Sequence, residues 1–373
     1  MEGKRSRTFN VLRRDVKTFV SWAIRGVARR VLQYVPVAIW RRVAPQTTFG
    51  LCYHVVSDAK LQHLKHYPPL TTAQFEEDLS YLKGSFSVIA YDELVRRRSV
   101  ENIVRDNAAT LTFDDGFAEC ATVVRPILLR HGASCIFFVI TDLIDNRVMF
   151  RETQASLCID AIWRQPVECV EAIIHELGLD EQLPCPPVRS RFKSQGWSPL
   201  DVADFDGKPD SRLRSLLHWL LTIRLHDVGL VDRLCDRLGV DVAGYLLKVR
   251  PYLSTEQICQ LHSDGFTIGA HGRSHRRLES LSRAEAEHEI VESCRIVRDL
   301  TGQESVPFAF PYSGAGLDRT WLAQLRERHD FIGLFFDTGG LRRDAPFVVQ
   351  RVFGERINQA GSMDSILRRA WTP

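Results

Sequence analysis

The sequence predicts an α/β fold with parallel strands, on three observations. Short apolar runs of strand length recur along the chain, from Thr48–His54 to Phe331–Phe336. Stretches with helical start or stop signals, such as Thr71 with Gln74 or Ser282 with Glu285, alternate with them. No repeat of roughly 20–50 residues is visible, which sets aside solenoids and propellers. The 373 residues are 45% hydrophobic and 25% charged, ordinary globular usage that excludes a largely disordered or fibrous chain. The length allows two domains, or one barrel with additions.

Thr48 to His54 is the first strand, an apolar run closed by a polar residue. Thr71 and Gln74 form a capping box that opens a helix through about Lys83, and Ser87-Val88-Ile89 is the next strand. Ala109 to Phe113 is a buried strand followed directly by Asp114-Asp115-Gly116. The next helix runs to about His131, where Gly132 stops it, and Ser134 to Ile140 is another strand. Between about 150 and 250 the alternation breaks. Ser156–Leu177 and Ser211–Leu238 read as helices, joined through loops rich in Pro and Asp, so this region is expected to be a helical insertion or lid. Its His175, His218 and His226 sit singly on helical patterns and are read as structural. The alternation then returns: Ser254 with Gln257 caps a helix to about His262, and Gly265–Ala270 is a strand. Ser282 with Glu285 caps a long helix ending near Gly302. Val306–Phe310 and Phe331–Phe336 are strands separated by a helix from about Asp318 to Arg328.

The net charge of +3 conceals an asymmetry. Residues 1–45 carry eleven Lys/Arg against Glu2 and Asp15, a net +9, so the remainder sums to −6. An acidic body excludes nucleic-acid binding across the fold. In the basic head, Arg interrupts the apolar runs every few residues, well short of the ~18 apolar residues of a spanning helix. Basic residues interleaved with Trp22, Trp40 and aliphatics suit a helix lying on an anionic membrane surface, or one docked on the body with a solvated basic face. The nine cysteines are scattered without a C-x-x-C, which fits a reducing compartment better than a disulfide scaffold. The expected location is cytoplasmic, with peripheral contact at the inner face of the membrane as a hypothesis.

Three segments carry chemistry. Asp114 and Asp115 stand at a strand end, where functional side chains of parallel α/β folds gather, and adjacent carboxylates are costly unless a cation or proton offsets them. Taken alone, an Asp-Asp-Gly turn is common. His271-Gly272-Arg273-Ser274-His275 follows another strand, and its two imidazoles could converge on one ion or belong to a solvated polar loop. No Glu follows His271, so the His-Glu-x-x-His arrangement of zinc proteases is absent. Phe310-Pro311-Tyr312-Ser313-Gly314 breaks a strand into a loop that could offer backbone N–H groups to an oxyanion, and alone is weak. Together, one carboxylate and two imidazoles make a three-ligand site with open positions, leaving the second Asp free as a base toward water acidified by the ion.

Leu111-Thr-Phe-Asp-Asp-Gly116, Ile268-Gly-Ala-His-Gly-Arg-Ser-His275 and Phe308-Ala-Phe-Pro-Tyr312, in this order, resemble the motifs of the polysaccharide deacetylases of the NodB-homology type, over about residues 47–355. The resemblance implies a distorted (β/α) barrel over residues 46–373, with the helical insertion at about 150–250 and the basic N-terminal helix of 1–45 outside it. It implies hydrolysis of N- or O-acetyl groups on a carbohydrate with a divalent metal, usually zinc, with cobalt, nickel and manganese as alternatives. By the same resemblance Asp114 is the general base and Asp115, His271 and His275 are the metal ligands. The Tyr312 backbone N–H completes the oxyanion hole.

Three departures stand out. Gly272 occupies a position where the family has Ser or Thr, and Ala309-Phe310 stands where many members place an Arg that orients the base. No His follows His329, so the late Leu-x-His that supplies the acid in most members is missing. A branch with permuted order carries a Tyr-His on its first strand, and Leu51-Cys52-Tyr53-His54 fits it, which makes His54 the expected general acid. Asp337 and Arg351 resemble late positions of the family. The expected substrate is an N-acetylated glycan or a lipid-linked sugar. The rival readings are a metal-independent glycoside hydrolase with paired carboxylates and a catalytically inactive carbohydrate-binding relative.

Overall fold

Seven parallel strands close on themselves in the computed structural model, which describes residues 34–43, 48–65, 69–99, 107–179, 228–355 and 361–371. The strands are β1 (Phe49–Tyr53), β2 (Ser87–Val88), β3 (Ala108–Phe113), β4 (Cys135–Val139), β5 (Thr267–Ala270), β6 (Val306–Ala309), β7 (Ile332–Asp337) and β8 (Val348–Phe353). The barrel runs β1-β3-β4-β5-β6-β7-β8 and back to β1, and β2 is added beside the start of β3. It is a distorted (β/α) barrel, as the motif resemblance implies. A register shift between Val306 and Phe308 supplies one distortion, and there the Leu334 N–H donates to the Tyr91 hydroxyl.

The interior is packed. Phe138 on β4 and Phe336 on β7 belong to strands that are not neighbours, yet their rings lie 5.1 Å apart across the barrel. The alternate residues Phe137 and Phe335 face outward into the larger core shared with the helices. In β4 the side chains thus divide by parity, Ile136 and Phe138 to the filling and Cys135, Phe137 and Val139 to the wall, as a parallel strand covered on both faces requires.

The helices are α1 (Val37–Val43), α2 (Thr72–Ser85), α3 (Tyr91–Ser99), α4 (Arg125–His131), α5 (Arg151–Arg164), α6 (Val167–Glu176), α7 (Val228–Leu238), α8 (Val242–Val249), α9 (Thr255–Ser263), α10 (Arg283–Thr301), α11 (Arg319–Arg328) and α12 (Met363–Trp371). All three expected capping boxes form, at Thr71, Ser254 and Ser282. Gly132 and Gly302 take the left-handed conformation that ends α4 and α10.

The expected helix Ser156–Leu177 is instead two, α5 and α6. Pro166 cannot donate into a helix and forces Gln165 into an extended conformation with ψ 149°, so the chain turns there. The expected Ser211–Leu238 helix is seen only as α7, since residues 211–227, with His218 and His226, lie outside the described residues. His175 is exposed near the end of α6. Helices α5, α6 and α7 enclose a second apolar cluster that includes Cys158, Ile162, Ile174, Leu234 and Leu238. Most of the basic head lies outside the described residues. Within it, Val37 of α1 is buried in the main core, while Tyr34 and Ile39 are exposed. Among the described residues no helix is long and apolar enough to cross a membrane.

Candidate active site

The six residues singled out from the sequence come to one end of the barrel. His54 follows β1, Asp114 and Asp115 follow β3, His271 and His275 follow β5, and Tyr312 follows β6. Parallel strands all point the same way, so residues just after them gather over one mouth. The described backbone is strained here, since Asp115 (φ 71°), His275 (φ 57°) and Tyr312 (φ 61°) are three of its six non-glycine residues at positive φ. Such conformations persist only where surrounding contacts fix them.

Asp115 and the two imidazoles make a donor set. The Asp115 Oδ1 atom is buried without a hydrogen-bond partner and lies 3.5 Å from Nε2 of both His271 and His275. Nδ1 of His271 donates to the Ala309 carbonyl at 2.9 Å, which leaves its Nε2 as a lone pair facing Asp115. Burial pushes His271 down to about 4 and His275 well below its ordinary value, so both rings are neutral at pH 7. Burial, with Asp114 alongside and despite His54, pushes Asp115 up to about 7. Two neutral imidazoles and an orphaned carboxylate oxygen fit a divalent cation with open positions. His271→Ala is expected to lose bound metal, as measured by elemental analysis of the purified protein. Undiminished metal content would remove His271 from the site.

Asp114 is held differently. Burial acts to raise its pKa, but Arg351 of β8 overrides this and keeps the carboxyl far below the usual range. The guanidinium grips both oxygens, at 2.6 and 2.8 Å, and also donates to the Thr112 hydroxyl at 3.0 Å. Arg351 is 0% exposed, and a Cβ at Gly50 on the neighbouring strand would lie 2.6 Å from its Cγ. The glycine in β1 is therefore the space that lets Arg351 run inside the barrel wall. The Arg missing before Pro311 is thus matched by one from β8.

The loop carrying the two histidines is shaped by Glu289 of α10. Its carboxylate accepts from the backbone N–H groups of Arg273 and Ser274 at 2.7 and 3.1 Å, and from the Ser274 hydroxyl at 2.6 Å. Gly272 has φ 76° and a Cβ there would come within 3.2 Å of Glu289. The hydroxyl absent at position 272 is therefore supplied by Ser274, two residues on.

His54 pairs with Glu355 just after β8. One carboxylate oxygen accepts from the His54 backbone N–H at 2.6 Å and the other lies 3.0 Å from Nδ1. Burial opposes a charged ring, yet Glu355 overrides it and raises His54 to about 10. Ligand atoms of Cys52, His54 and Asp114 lie within 4.8 Å of one another, so His54 borders the base. His329, by contrast, follows α11 and precedes β7, which puts it at the opposite end of the barrel.

Tyr312 opens the loop after β6. Its carbonyl accepts from the Thr338 hydroxyl at 2.8 Å, and its own hydroxyl donates to Glu152 at 2.6 Å. The buried Asp337, at the end of β7, accepts from Gly314 N–H at 2.9 Å and from the Ser313 hydroxyl at 3.2 Å. The sequence reading found no chemistry in the insertion, yet its first turn reaches this site: Phe150 packs edge-on against His275 with ring centroids 4.7 Å apart. Glu152, Glu289 and Glu355 all escaped the sequence, because each is one acidic residue in an unremarkable polar context.

Residues 233–329 match the polysaccharide deacetylase family model, a stretch that contains the His271–His275 and Phe308–Tyr312 segments. Among solved structures, the deacetylase PplD of Streptococcus pyogenes, in complex with acetate, is similar with a TM-score of 0.50 and 14% identity, covering 88% of this chain and 99% of that one. IcaB of Ammonifex degensii has a TM-score of 0.47 and 14% identity, covering 88% of this chain and 98% of that one. A polysaccharide deacetylase of Bacillus cereus has a TM-score of 0.47 and 12% identity, covering 87% and 69%. No curated protein matches the chain. The likeness to PplD bears on the fold, and the family match on residues 233–329 bears out the resemblance drawn from the motifs.

Proposed function

We propose that this chain, with the polysaccharide deacetylase match over residues 233–329, is a metal-dependent hydrolase that removes the acetyl group from an N-acetylated sugar and releases acetate. The reading rests above all on the orphaned Asp115 oxygen set 3.5 Å from two neutral imidazoles, beside an ionised Asp114. Asp115, His271 and His275 would hold a divalent ion, zinc foremost, with cobalt, nickel or manganese as substitutes. When bound, the ion supplies a Lewis acid for the acetyl carbonyl and acidifies water at the site.

The remaining work falls to the chain's own side chains. Asp114 takes the proton of the attacking water. Arg351 keeps that carboxyl ionised, the form in which it can accept a proton. The Tyr312 N–H meets the negative oxygen that develops on the acetyl carbon. His54, charged at neutral pH through Glu355, gives its proton to the departing sugar amine.

A pH dependence follows from the last step. The acid works only while protonated, so activity should persist on the alkaline side until pH approaches about 10. Glu355→Gln removes the charge that overrides burial, and the alkaline limb of kcat should move down towards or below ~6.5. An unmoved limb would take the acid role from His54.

The substrate is tested by acetate release from a polymer, a short oligosaccharide and a lipid-linked sugar, each N-acetylated, with zinc or cobalt present and with chelator as control. Release from one of them, lost on chelation and restored by metal, is expected. Full activity in chelator would overturn the metal-dependent reading in favour of paired carboxylates.

A further inference from the structure

We propose that Glu152, in the first turn of α5, is a positioning residue that fixes Tyr312 and through it the backbone N–H assigned to the oxyanion, so that the helical insertion is part of the active site. The inference rests on the deacetylase reading and deepens it.

Tyr312 occupies a backbone conformation that an aromatic side chain disfavours, with φ 61°. Rotation of its peptide would swing the N–H away from any fixed oxyanion position, so contacts on both sides of the residue matter. On the main-chain side the Thr338 hydroxyl holds the carbonyl at 2.8 Å. On the side-chain side the phenol donates to Glu152 Oε1 at 2.6 Å, with the Arg277 guanidinium 4.7 Å from the ring centroid and the His275 ring 4.8 Å away. The only carboxylate in that set belongs to the insertion, 160 residues before Tyr312 in the chain.

Glu152 is itself rigidly presented. The fully buried Tyr252 hydroxyl accepts from the Phe150 N–H at 2.9 Å and lies 2.6 Å from the Thr153 hydroxyl, so it clamps both sides of Glu152. The residue after Tyr252 donates its N–H to the Gly116 carbonyl at 2.9 Å, on the loop of Asp115. The Asp115 loop, α5 and the Tyr312 loop are thus linked in one chain of hydrogen bonds. At 2.6 Å the phenol bond is short, and its part-buried position limits competition from water.

The test uses the full chain loaded with zinc and the acetylated sugar that the wild type turns over. Glu152→Ala and Tyr312→Phe break the same bond from its two ends. Each is expected to lower kcat about tenfold, the effect of one strong hydrogen bond, with KM and metal content unchanged. The double variant should be no worse than either single one, and Glu152→Gln, which can still accept from the phenol, should keep most of the activity. Hydrogen–deuterium exchange of the segment 311–314 should rise in both single variants. Wild-type kcat in Glu152→Ala, losses that multiply in the double variant, or a change in KM alone would overturn the proposal. If the wild type releases no acetate from any substrate, the deacetylase reading falls. The exchange measurement then still decides whether Glu152 holds Tyr312, and unchanged exchange would refute it.

Discussion

Asp114→Asn is expected to lower kcat by about 10²–10⁴ while the protein keeps its metal. The substitution preserves shape and one acceptor oxygen for Arg351, but removes the lone pair that would take the proton from water. Asp114 stands beside the proposed ligands without being one of them: its nearest carboxylate oxygen is 3.7 Å from His271 Nε2, and both oxygens are engaged by Arg351. Metal content by elemental analysis should therefore match the wild type. The variant also leaves Arg351 buried without its counter-charge, so turnover must be compared at a temperature where circular dichroism shows both proteins folded. Near-wild-type turnover under those conditions would remove Asp114 as the base.

The residues most readily found in the sequence are those whose partners lie close along the chain. Asp114 and Asp115 are adjacent, His271 and His275 are four apart, and each pair directly follows an apolar strand that marks where it will sit. Capping boxes are equally local, which is why Thr71, Ser254 and Ser282 start helices where expected. The supporting residues are not local. Arg351 meets Asp114 across 237 positions and Glu355 meets His54 across 301. Strand β8 carries Gln350 and Arg351 in a buried position, so it lacks the uninterrupted apolar run by which β4 is recognised. Beyond the resemblance that picked out Arg351 as a late family position, a further signal lay in the sequence, Gly50 in a strand otherwise built of larger residues. A glycine there marks close approach of another group, which proves to be the Arg351 side chain.

Arg351→Met should produce the largest loss of stability of any change considered, about 3–5 kcal/mol, because it strands a buried carboxylate. In the wild type the Asp114 pKa is lowered below its unfolded value, so the pair's contribution is present above the unfolded pKa of ~3.9 and is lost only as pH falls through the lowered folded one. Without the guanidinium, burial acts on Asp114 against only the smaller pull of His271 and His54 and raises its pKa, and the sign reverses: the variant should gain stability relative to wild type as pH falls from 7 to 5. Urea unfolding at the two pH values measures this directly. Adding Asp114→Asn to Arg351→Met replaces the stranded charge by a neutral amide, and should recover part of the loss at pH 7 although neither residue can then serve catalysis. A variant that unfolds at the wild-type urea concentration at pH 7 would mean that water reaches Asp114. The low pKa of the base would then owe little to Arg351, and the space kept by Gly50 would have no bearing on the chemistry.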